Sequence, residues 1–395
     1  MASLLTLAEA QARILAVARP LPAELVPISS SAGRVTEEDV RAQVDLPPFA
    51  SSAMDGFAVR AAELPATLKI TGESAAGSPS TSALEPGTAV AISTGAVVPE
   101  GADAVVPVEY VVKHENTVEI SGVAEEGANV RAPGSDVAAG DVVVPAGARL
   151  TAARVAAAAA AGVAEIPCRR RPRVAMLATG SELVAPGQAL RPGEIYESNG
   201  LMLGAVLAAD AEIVSEPTAA DDEVALRAAL ERGLAADVLV TSGGVSVGEH
   251  DLVRSVEREL GVEEIFWRVS VKPGKPVSFG VRGNTLVFGL PGNPVSALVC
   301  CELFVRPALR ALQGLADPLP RYEPGRLAAA LRRNGERDEF VRARSRLDGD
   351  TVMLEPIVGQ ESHMIVRSSA ADALVHVPRG NGELGAGSVA RWLRL

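Results

Sequence analysis

Lysine, cysteine, histidine and aromatic residues are all scarce in this 395-residue chain. The cysteines stand as Cys168 and the adjacent pair Cys300 and Cys301, a spacing that suits neither a disulfide framework nor a zinc site. The four histidines lie far apart and form no H-E-x-x-H motif, so the sequence gives no support for a histidine-based zinc site or a hydrolase triad. We therefore expect buried, reduced thiols and a chemistry performed by other side chains.

Positive charge is also in deficit. The net charge of −12 predicts a surface that repels phosphate backbones and anionic lipid heads, so we expect neither a nucleic-acid partner nor a membrane partner. The most apolar run, residues 155–163, is about half as long as the ~20 residues that a membrane span requires. Thr6 and Glu9 form a capping box that opens an amphipathic helix rather than a signal peptide. We expect a cytoplasmic protein.

Length and periodicity predict a multidomain α/β plus β protein. Between residues 49 and 145 short apolar stretches alternate with Gly, Pro and Ser turns, and from residue 174 strands alternate with helices around a mostly parallel sheet. Strand-like alternation returns from residue 339 onward. The predicted domains are an N-terminal helical and mixed domain (residues 1–46 and 137–168), an inserted β-rich module (47–136), a parallel-sheet α/β domain (169–316) and a small C-terminal β-barrel (317–395).

Two segments near the predicted domain boundaries also have predicted structures. Residues 151–162 read as an alanine-rich helix, which we expect to pack with the N-terminal helix so that the β-rich module is an insertion. The basic run from Arg169 to Arg173 is interpreted as a solvated linker at a domain boundary, rather than as a binding patch.

The segment TSGGVSVGEHD (241–251) follows a predicted strand and precedes a predicted helix. Glycines let the backbone approach a phosphate, hydroxyls add donors, and a helix start favours an anion. Glu249 and His250 stand where a Walker loop needs Lys and Ser or Thr, and the spacing does not match the dinucleotide G-x-G-x-x-G motif. The segment indicates an anion site without P-loop chemistry; the alternative is an ordinary glycine turn with Asp251 as a helix cap.

Two of the four lysines, Lys272 and Lys275, lie in the loop VKPGKP (271–276), whereas Lys69 and Lys113 lie in the β-rich module. Flanking prolines stiffen the loop, and lysine presents a compact charge to an oxyanion. The pattern favours an anion clamp over a solvated loop.

Carboxylates also recur at predicted strand ends, at Glu182, at the pair Asp221 and Asp222, and at Asp251. Such groups could hold Mg²⁺ together with phosphate and water. The alternative for Asp221 and Asp222 is a helix cap, because acidic residues favour the start of a helix. LPGNP (290–294) reads as a turn with Asn293 as a cap and Pro294 in the first helical turn, and it would present backbone.

Taken in order, SSAMDGFA (51–58), TSGGVSVGEHD, VKPGKP and LPGNP resemble the molybdopterin molybdenumtransferase family, which includes the E domain of gephyrin. The resemblance covers essentially the whole chain. It implies a four-part homodimer whose α/β part is similar to the molybdopterin adenylyltransferases, with such an adenylyltransferase as the upstream partner. It further implies Mg²⁺-dependent insertion of molybdate into adenylated molybdopterin with release of AMP, which forms the molybdenum cofactor.

The resemblance also assigns roles to residues. The catalytic positions that it implies are Asp55, Glu182, Asp221, Asp251, Lys272 and Lys275, of which Glu182 and Asp221 would hold Mg²⁺. The substrate-binding positions that it implies are Thr94, Asp136, Pro291, Pro294 and Ser362. The glycine-rich anion site adds Ser242, Gly243, Gly244, Ser246 and Gly248, and the LPGNP turn adds Gly292 and Asn293. In the implied dimer, we expect Asp55 to reach the cleft of the other subunit.

Two other functions stay open at this point. The chain could be a non-catalytic scaffold, since the gephyrin E domain also serves as a scaffold. It could also be a nucleotidyl or phosphoryl transferase that acts on another ligand, because an α/β anion site does not name its ligand.

Overall fold

The computed structural model describes residues 4–215, 222–244 and 252–395. The chain forms two compact units. The large unit contains Met1–Glu24, Gly33–Val35 and Arg169–Leu395, and the small unit contains Leu25–Ala32 and Thr36–Cys168. The α-helices are Leu7–Val17, Ala152–Ala160, Asn199–Leu207, Glu223–Gly233, Leu252–Glu259, Pro294–Cys300, Arg306–Leu312 and Ile365–Ser368. The short 3₁₀ turns are Ile28–Ser30, Ala61–Glu63 and Val108–Tyr110.

The large unit contains a six-stranded sheet whose first four strands are parallel and whose last two are antiparallel. In spatial order the strands are Glu212–Ser215, Arg173–Ala178, Val238–Ser242, Thr285–Leu290, Ser278–Arg282 and Glu263–Trp267. Alternate side chains point to opposite faces, so Val174 and Met176 join one buried core while Ala175 and Leu177 join another. Burial on both faces explains why these strands read as continuous apolar runs.

The end of the large unit is a closed β-barrel, and this confirms the predicted C-terminal barrel. Its strands, in order around the barrel, are Asp338–Asp348, Thr351–Pro356, Glu323–Leu327, Val389–Arg394 and Ala373–Val377, and the last of these pairs again with the first. The short strand Val271–Lys272 adds in parallel to Asp338–Asp348. Because Lys272 thereby pairs with Glu339, the VKPGKP loop is tied to the barrel.

The small unit has its own six-stranded sheet, as the β-rich pattern predicts. The strands in order are Ala104–Pro107, Gly56–Val59, Thr88–Ile92, Ala66–Ser74, Thr117–Ile120 and Val112–Lys113. Phe57 and Val59 face one core and Ala58 faces the other. The remaining short strands of the chain are Ala23–Pro27, Val40–Arg41, Ser51–Ser52, Val130–Arg131, Val142–Val144, Glu165–Arg169, Leu183–Val184, Ile195–Tyr196, Leu331–Arg332 and Glu383–Leu384.

The N-terminal helix and the alanine-rich helix do not share one core as expected, since Ala10 and Ile14 belong to the core of the large unit and Ala158 belongs to a core of the small unit. The arginine run begins where the chain passes from the small unit to the large unit, as predicted, but it is not a solvated linker. Arg170 donates two hydrogen bonds, of 2.8 and 2.7 Å, to the carboxylate of Asp237, so the run is bound to the α/β part.

Several local predictions are confirmed. Thr6 Oγ1 accepts a 3.2 Å hydrogen bond from the Glu9 amide, and the Glu9 carboxylate accepts one of 2.8 Å from the Thr6 amide, which completes the capping box. A helix begins at Pro294 after the LPGNP turn, as predicted, and a π-helical turn, Cys301–Val305, separates it from helix Arg306–Leu312. All three cysteines are buried, and none is in a disulfide. Among the described residues, no helix is both long and apolar enough to cross a membrane.

Candidate functional site

The carboxyl ends of three neighbouring parallel strands meet at one edge of the large unit's sheet. The Thr179 amide donates a 3.0 Å hydrogen bond to the Ser242 carbonyl, and the Gly243 amide donates one of 3.2 Å to the Leu290 carbonyl. The structure therefore brings Ser242, Gly243 and Gly244 beside the Pro291–Asn293 turn, as their positions at strand ends predict.

Gly243 and Gly244 are required by this geometry. Their φ angles are +96° and +66°, in the left-handed region that favours glycine. A Cβ atom on Gly243 would lie 2.6 Å from the Thr179 carbonyl oxygen, so no side chain fits there. The turn consequently exposes backbone at the strand ends, which suits close approach of an anionic ligand. Ser246 and Gly248, from the same motif, lie outside the described residues.

Asn199, which the sequence analysis did not single out, joins these two turns. Its Nδ2 donates hydrogen bonds of 2.8 Å to Ser242 Oγ and 2.8 Å to the Gly292 carbonyl oxygen. Since a carbonyl can only accept, the Gly292 bond fixes which end of the amide is Nδ2. A single Asn at the start of a helix carries no signal in sequence that would have revealed this role.

The proposed Mg²⁺ ligands are only partly described. Glu182 lies past the end of strand Arg173–Ala178, and its carboxylate folds back over Gly180 so closely that a Cβ atom there would overlap it. Asp221 and Asp251 lie outside the described residues, within which no cluster of three or more His, Cys, Asp or Glu side chains could hold a metal. Asp222 is a helix cap, because its Oδ2 accepts a 2.9 Å hydrogen bond from the Ala225 amide. One carboxylate at a strand end fits Mg²⁺, which takes one or two carboxylates plus substrate phosphates.

A cavity of about 270 Å³, which we call the Lys272 cavity, opens where the VKPGKP loop meets the barrel. Four segments build it: the loop, the start of helix Pro294–Cys300, the start of strand Asp338–Asp348 and the turn at residues 360–362. The polar side chains that line it are Lys272, Ser296, Arg337, Glu339, Gln360, Glu361 and Ser362.

The two lysines of the predicted clamp differ in position. Lys272 lines the cavity, and its Nζ lies 3.0 Å from the Glu339 carboxylate. Lys275 is half-buried, does not line the cavity, and contributes its carbonyl oxygen to a 3.1 Å hydrogen bond from the Val269 amide. Arg337 supplies the second cation of the cavity instead. Sequence reasoning missed Arg337, because arginine is the common basic residue of this chain and one more arginine does not stand out.

Ser362 and the LPGNP turn are in contact. Asn293 Nδ2 donates a 3.0 Å hydrogen bond to Ser362 Oγ, and the Val295 amide donates one of 3.1 Å to the Ser362 carbonyl. Asn293 occupies the cap position of its helix but makes no side-chain cap bond, and Pro294 lies in the first turn as predicted. The side chain of Asn293 therefore fixes the barrel turn rather than the helix end.

In the small unit, the two loops that carry Asp55 and Thr94 are adjacent. The Thr94 amide donates a 2.6 Å hydrogen bond to Asp55 Oδ1. The Ser52 amide bonds to the Ala96 carbonyl at 3.0 Å, and the Gly95 amide bonds to the Ser52 carbonyl at 2.8 Å. The hydrogen bond from the Thr94 backbone lowers the pKa of Asp55 below its ordinary value, so the exposed carboxyl is held as a carboxylate.

Asp55 borders a second cavity, of about 300 Å³, which we call the Asp55 cavity. Its charged lining side chains are Asp55, Glu73 and Lys113. Lys113, which the sequence analysis did not connect with a site, is therefore placed beside Asp55. Asp136 is exposed, and its amide donates a 2.9 Å hydrogen bond to the Leu46 carbonyl.

Three family models match the chain in succession. Residues 5–162 match the MoeA N-terminal region (domain I and II), residues 175–311 match the probable molybdopterin binding domain, and residues 324–395 match the MoeA C-terminal region (domain IV).

Relatives and solved structures agree with these matches. The chain is similar to molybdopterin molybdenumtransferase 2 of Mycobacterium tuberculosis, at 39% identity over 95% of each chain. It is also similar to the molybdopterin molybdenumtransferase of Haemophilus influenzae, at 39% identity over 79% of this chain and 78% of that one. A molybdopterin biosynthesis MoeA protein from Pyrococcus horikoshii has a similar fold, with a TM-score of 0.82 and 32% identity over 99% of each chain.

Proposed function

The chain belongs to the molybdopterin molybdenumtransferase family, and on this premise we propose that it inserts molybdenum from molybdate into adenylated molybdopterin with Mg²⁺-dependent release of AMP. The relatives that it matches over most of their length are named molybdopterin molybdenumtransferases. The observation that carries the proposal is the Lys272 cavity, because its walls suit a small oxyanion.

The Lys272 cavity offers donors from several directions. Lys272 and Arg337 bring positive charge, and Ser296 and Ser362 bring hydroxyl groups. A tetrahedral oxyanion such as molybdate has four oxygens to satisfy, and charge-assisted hydrogen bonds are the strong ones. A volume of about 270 Å³ holds such an ion with space left for part of a second ligand. We therefore assign molybdate to this cavity as a substrate.

Adenylated molybdopterin is assigned to the adjoining edge of the sheet. The Gly243–Gly244 turn has no side chains to keep phosphate oxygens from the backbone, and Asn199 binds both Ser242 of this turn and the Gly292 carbonyl. Glu182, with Asp221 from outside the described residues, would hold Mg²⁺. Bound there, Mg²⁺ would supply positive charge beside the phosphate oxygens.

The assembly and location of the enzyme are also proposals. We propose a homodimer in which Asp55 of one chain serves the substrate bound by its partner, with a molybdopterin adenylyltransferase as the upstream partner. The buried, reduced thiols of all three cysteines suit the reducing cytoplasm, where we place the protein.

The deciding experiment follows AMP by chromatography after the protein has bound adenylated molybdopterin. We expect release only when both molybdate and Mg²⁺ are present, with none after addition of a chelator. Release of AMP without molybdate would identify a hydrolase or a transferase that acts on another acceptor. Binding without release under any of these conditions would identify a scaffold, and either result would reject the proposed function.

A further inference from the structure

Arg342, on the barrel strand Asp338–Asp348, carries a buried charge in an unusual setting. The residue is 1% exposed. Its guanidinium donates hydrogen bonds to the carbonyl oxygens of Met364 (2.9 Å), Gly359 (2.8 Å) and Glu361 (3.2 Å), and to Ser368 Oγ (2.5 Å). Among the described residues, none of its acceptors is a carboxylate. Burying a charge without a paired carboxylate is costly, so this arrangement calls for an explanation.

All four acceptors belong to one stretch of chain, residues 359–368. The backbone of Arg342 binds the same stretch, since its amide donates a 3.0 Å hydrogen bond to Gln360 Oε1 and its carbonyl accepts one of 2.9 Å from Gln360 Nε2. The Ile357 amide also donates to the Arg342 carbonyl, at 3.0 Å. A turn without regular secondary structure over residues 357–363 is thus wrapped around one side chain.

This turn is a wall of the Lys272 cavity. Gln360, Glu361 and Ser362 line the cavity, and Ser362 in turn binds Asn293 and Val295. Because the guanidinium fork is planar and rigid, it fixes the carbonyls on both sides of Ser362 in one geometry. Lysine, with a single ammonium, cannot reach all four acceptors together.

Arg342 also changes the charge balance around the cavity. The lining side chains hold two cations, Lys272 and Arg337, and two carboxylates, Glu339 and Glu361. These formal charges cancel, which leaves no excess attraction for an anion. Arg342 binds the carbonyls of this turn from the buried side, so its guanidinium adds one positive charge behind the wall.

We infer that Arg342 is a positioning residue for oxyanion binding, which holds the Gln360–Ser362 wall in place and makes the surroundings of the Lys272 cavity positive. The inference rests on the proposed function, because the oxyanion is molybdate there. Arg342 touches no reacting atom, so it should act on the molybdate step alone.

The test compares Arg342→Met with a matched control, Arg306→Met. Arg306 is a partly buried guanidinium in the same unit, but its partners are the carboxylates of Asp210 and Glu302, and it does not line the cavity. We expect Arg342→Met to raise the half-saturating molybdate concentration at least about tenfold, with the KM for adenylated molybdopterin unchanged within about twofold. Arg306→Met should lower the Tm without changing the molybdate dependence. Molybdate binding measured by calorimetry gives a second readout that is independent of turnover.

Further variants distinguish the effect of the Arg342 charge from the effect of its guanidinium geometry. Arg342→Lys should recover only part of the affinity, because it keeps the charge and loses the fork. If Arg342→Met does not fold, Ser368→Ala removes one acceptor and should raise half-saturation about threefold. Unchanged molybdate dependence in the folded Arg342 or Ser368 variant, or an equal change in Arg306→Met, would overturn the inference alone. A wild-type protein that neither binds nor requires molybdate would overturn the proposed function, and the inference with it.

Discussion

The Lys272 cavity and the Asp55 cavity are similar in size, about 270 and 300 Å³, but they are built in different ways. Four segments far apart in sequence form the first, and side-chain hydrogen bonds such as those of Asn293 and Arg342 fix one of its walls. The second lies beside adjacent strands of one sheet, and backbone hydrogen bonds join its loops.

Their charges differ as well. In the Lys272 cavity two cations balance two carboxylates beside two hydroxyl groups, whereas Asp55 and Glu73 outnumber Lys113 in the Asp55 cavity. Substitutions of side chains around the Lys272 cavity should therefore change its geometry and its charge together. In the Asp55 cavity, where the backbone sets the geometry, they should change charge alone.

The largest effect is expected when one residue is removed from each cavity. Asp55→Ala should abolish AMP release, and Lys272→Ala should leave little of it when molybdate is limiting. In the proposed dimer, a mixed dimer has one intact site and one doubly damaged site. Co-refolding the two inactive proteins should restore roughly one quarter of wild-type activity, because half of the dimers are mixed.

Mixing the two proteins without subunit exchange is the control and should restore nothing. If mass spectrometry shows mixed dimers that stay inactive, Asp55 serves its own chain or neither site, and the shared-site model is wrong.

The next effect concerns the ion pair inside the Lys272 cavity. Lys272→Ala should weaken molybdate binding by about 10- to 150-fold, the equivalent of roughly 1.5–3 kcal/mol for a hydrogen bond to a charged group. Glu339→Gln should leave binding unchanged or tighten it, since it frees Lys272 from its partner. Titration calorimetry with molybdate measures both. A loss in Glu339→Gln as large as that in Lys272→Ala would show that the pair is needed as a unit.

A smaller effect should distinguish the two lysines of the small unit. Lys113 lines the Asp55 cavity, whereas Lys69 is exposed on strand Ala66–Ser74 and lines neither cavity. Lys113→Ala should therefore raise the KM for adenylated molybdopterin a few-fold, on the scale of roughly 0.5–1 kcal/mol for an exposed charge. Lys69→Ala is the matched control. Equal KM values in the two variants would contradict a role of Lys113 in binding.

The smallest effect is a shift in the titration of Asp55. The Thr94 amide lowers the pKa of Asp55, so the stability from this contact is present above the ordinary carboxyl pKa and is lost as the pH falls through the lowered value. Activity should show no acid limb from Asp55 above about pH 4.

Thr94→Val keeps the backbone donor and removes the hydroxyl, so it should raise the pKa of Asp55 only part of the way to its ordinary value. Carbon NMR of the labelled carboxyl group measures the shift. A return to the ordinary pKa would mean that the hydroxyl, rather than the amide, holds the carboxylate.

The sequence by itself was sufficient for much of the fold. Short, continuous apolar runs, which the sheet buries on both faces, predicted the strands of the α/β part, and glycines marked the turn at Gly243. These features are local, since they depend on backbone conformation and on neighbours a few residues away. The family motifs were also readable, because each is a contiguous run.

Tertiary structure alone decided which distant side chains cooperate. Nothing in the sequence connects Arg342 with Gly359 or Asn199 with Gly292, and the pairing of Val271–Lys272 with Asp338–Glu339 depends on how the barrel closes. Arg337 and Lys272 line one cavity although they lie far apart in the sequence. The identity of a side chain sets whether it can donate or accept a hydrogen bond. Long-range packing decides which distant residue becomes its partner, and one sequence alone does not reveal that pairing.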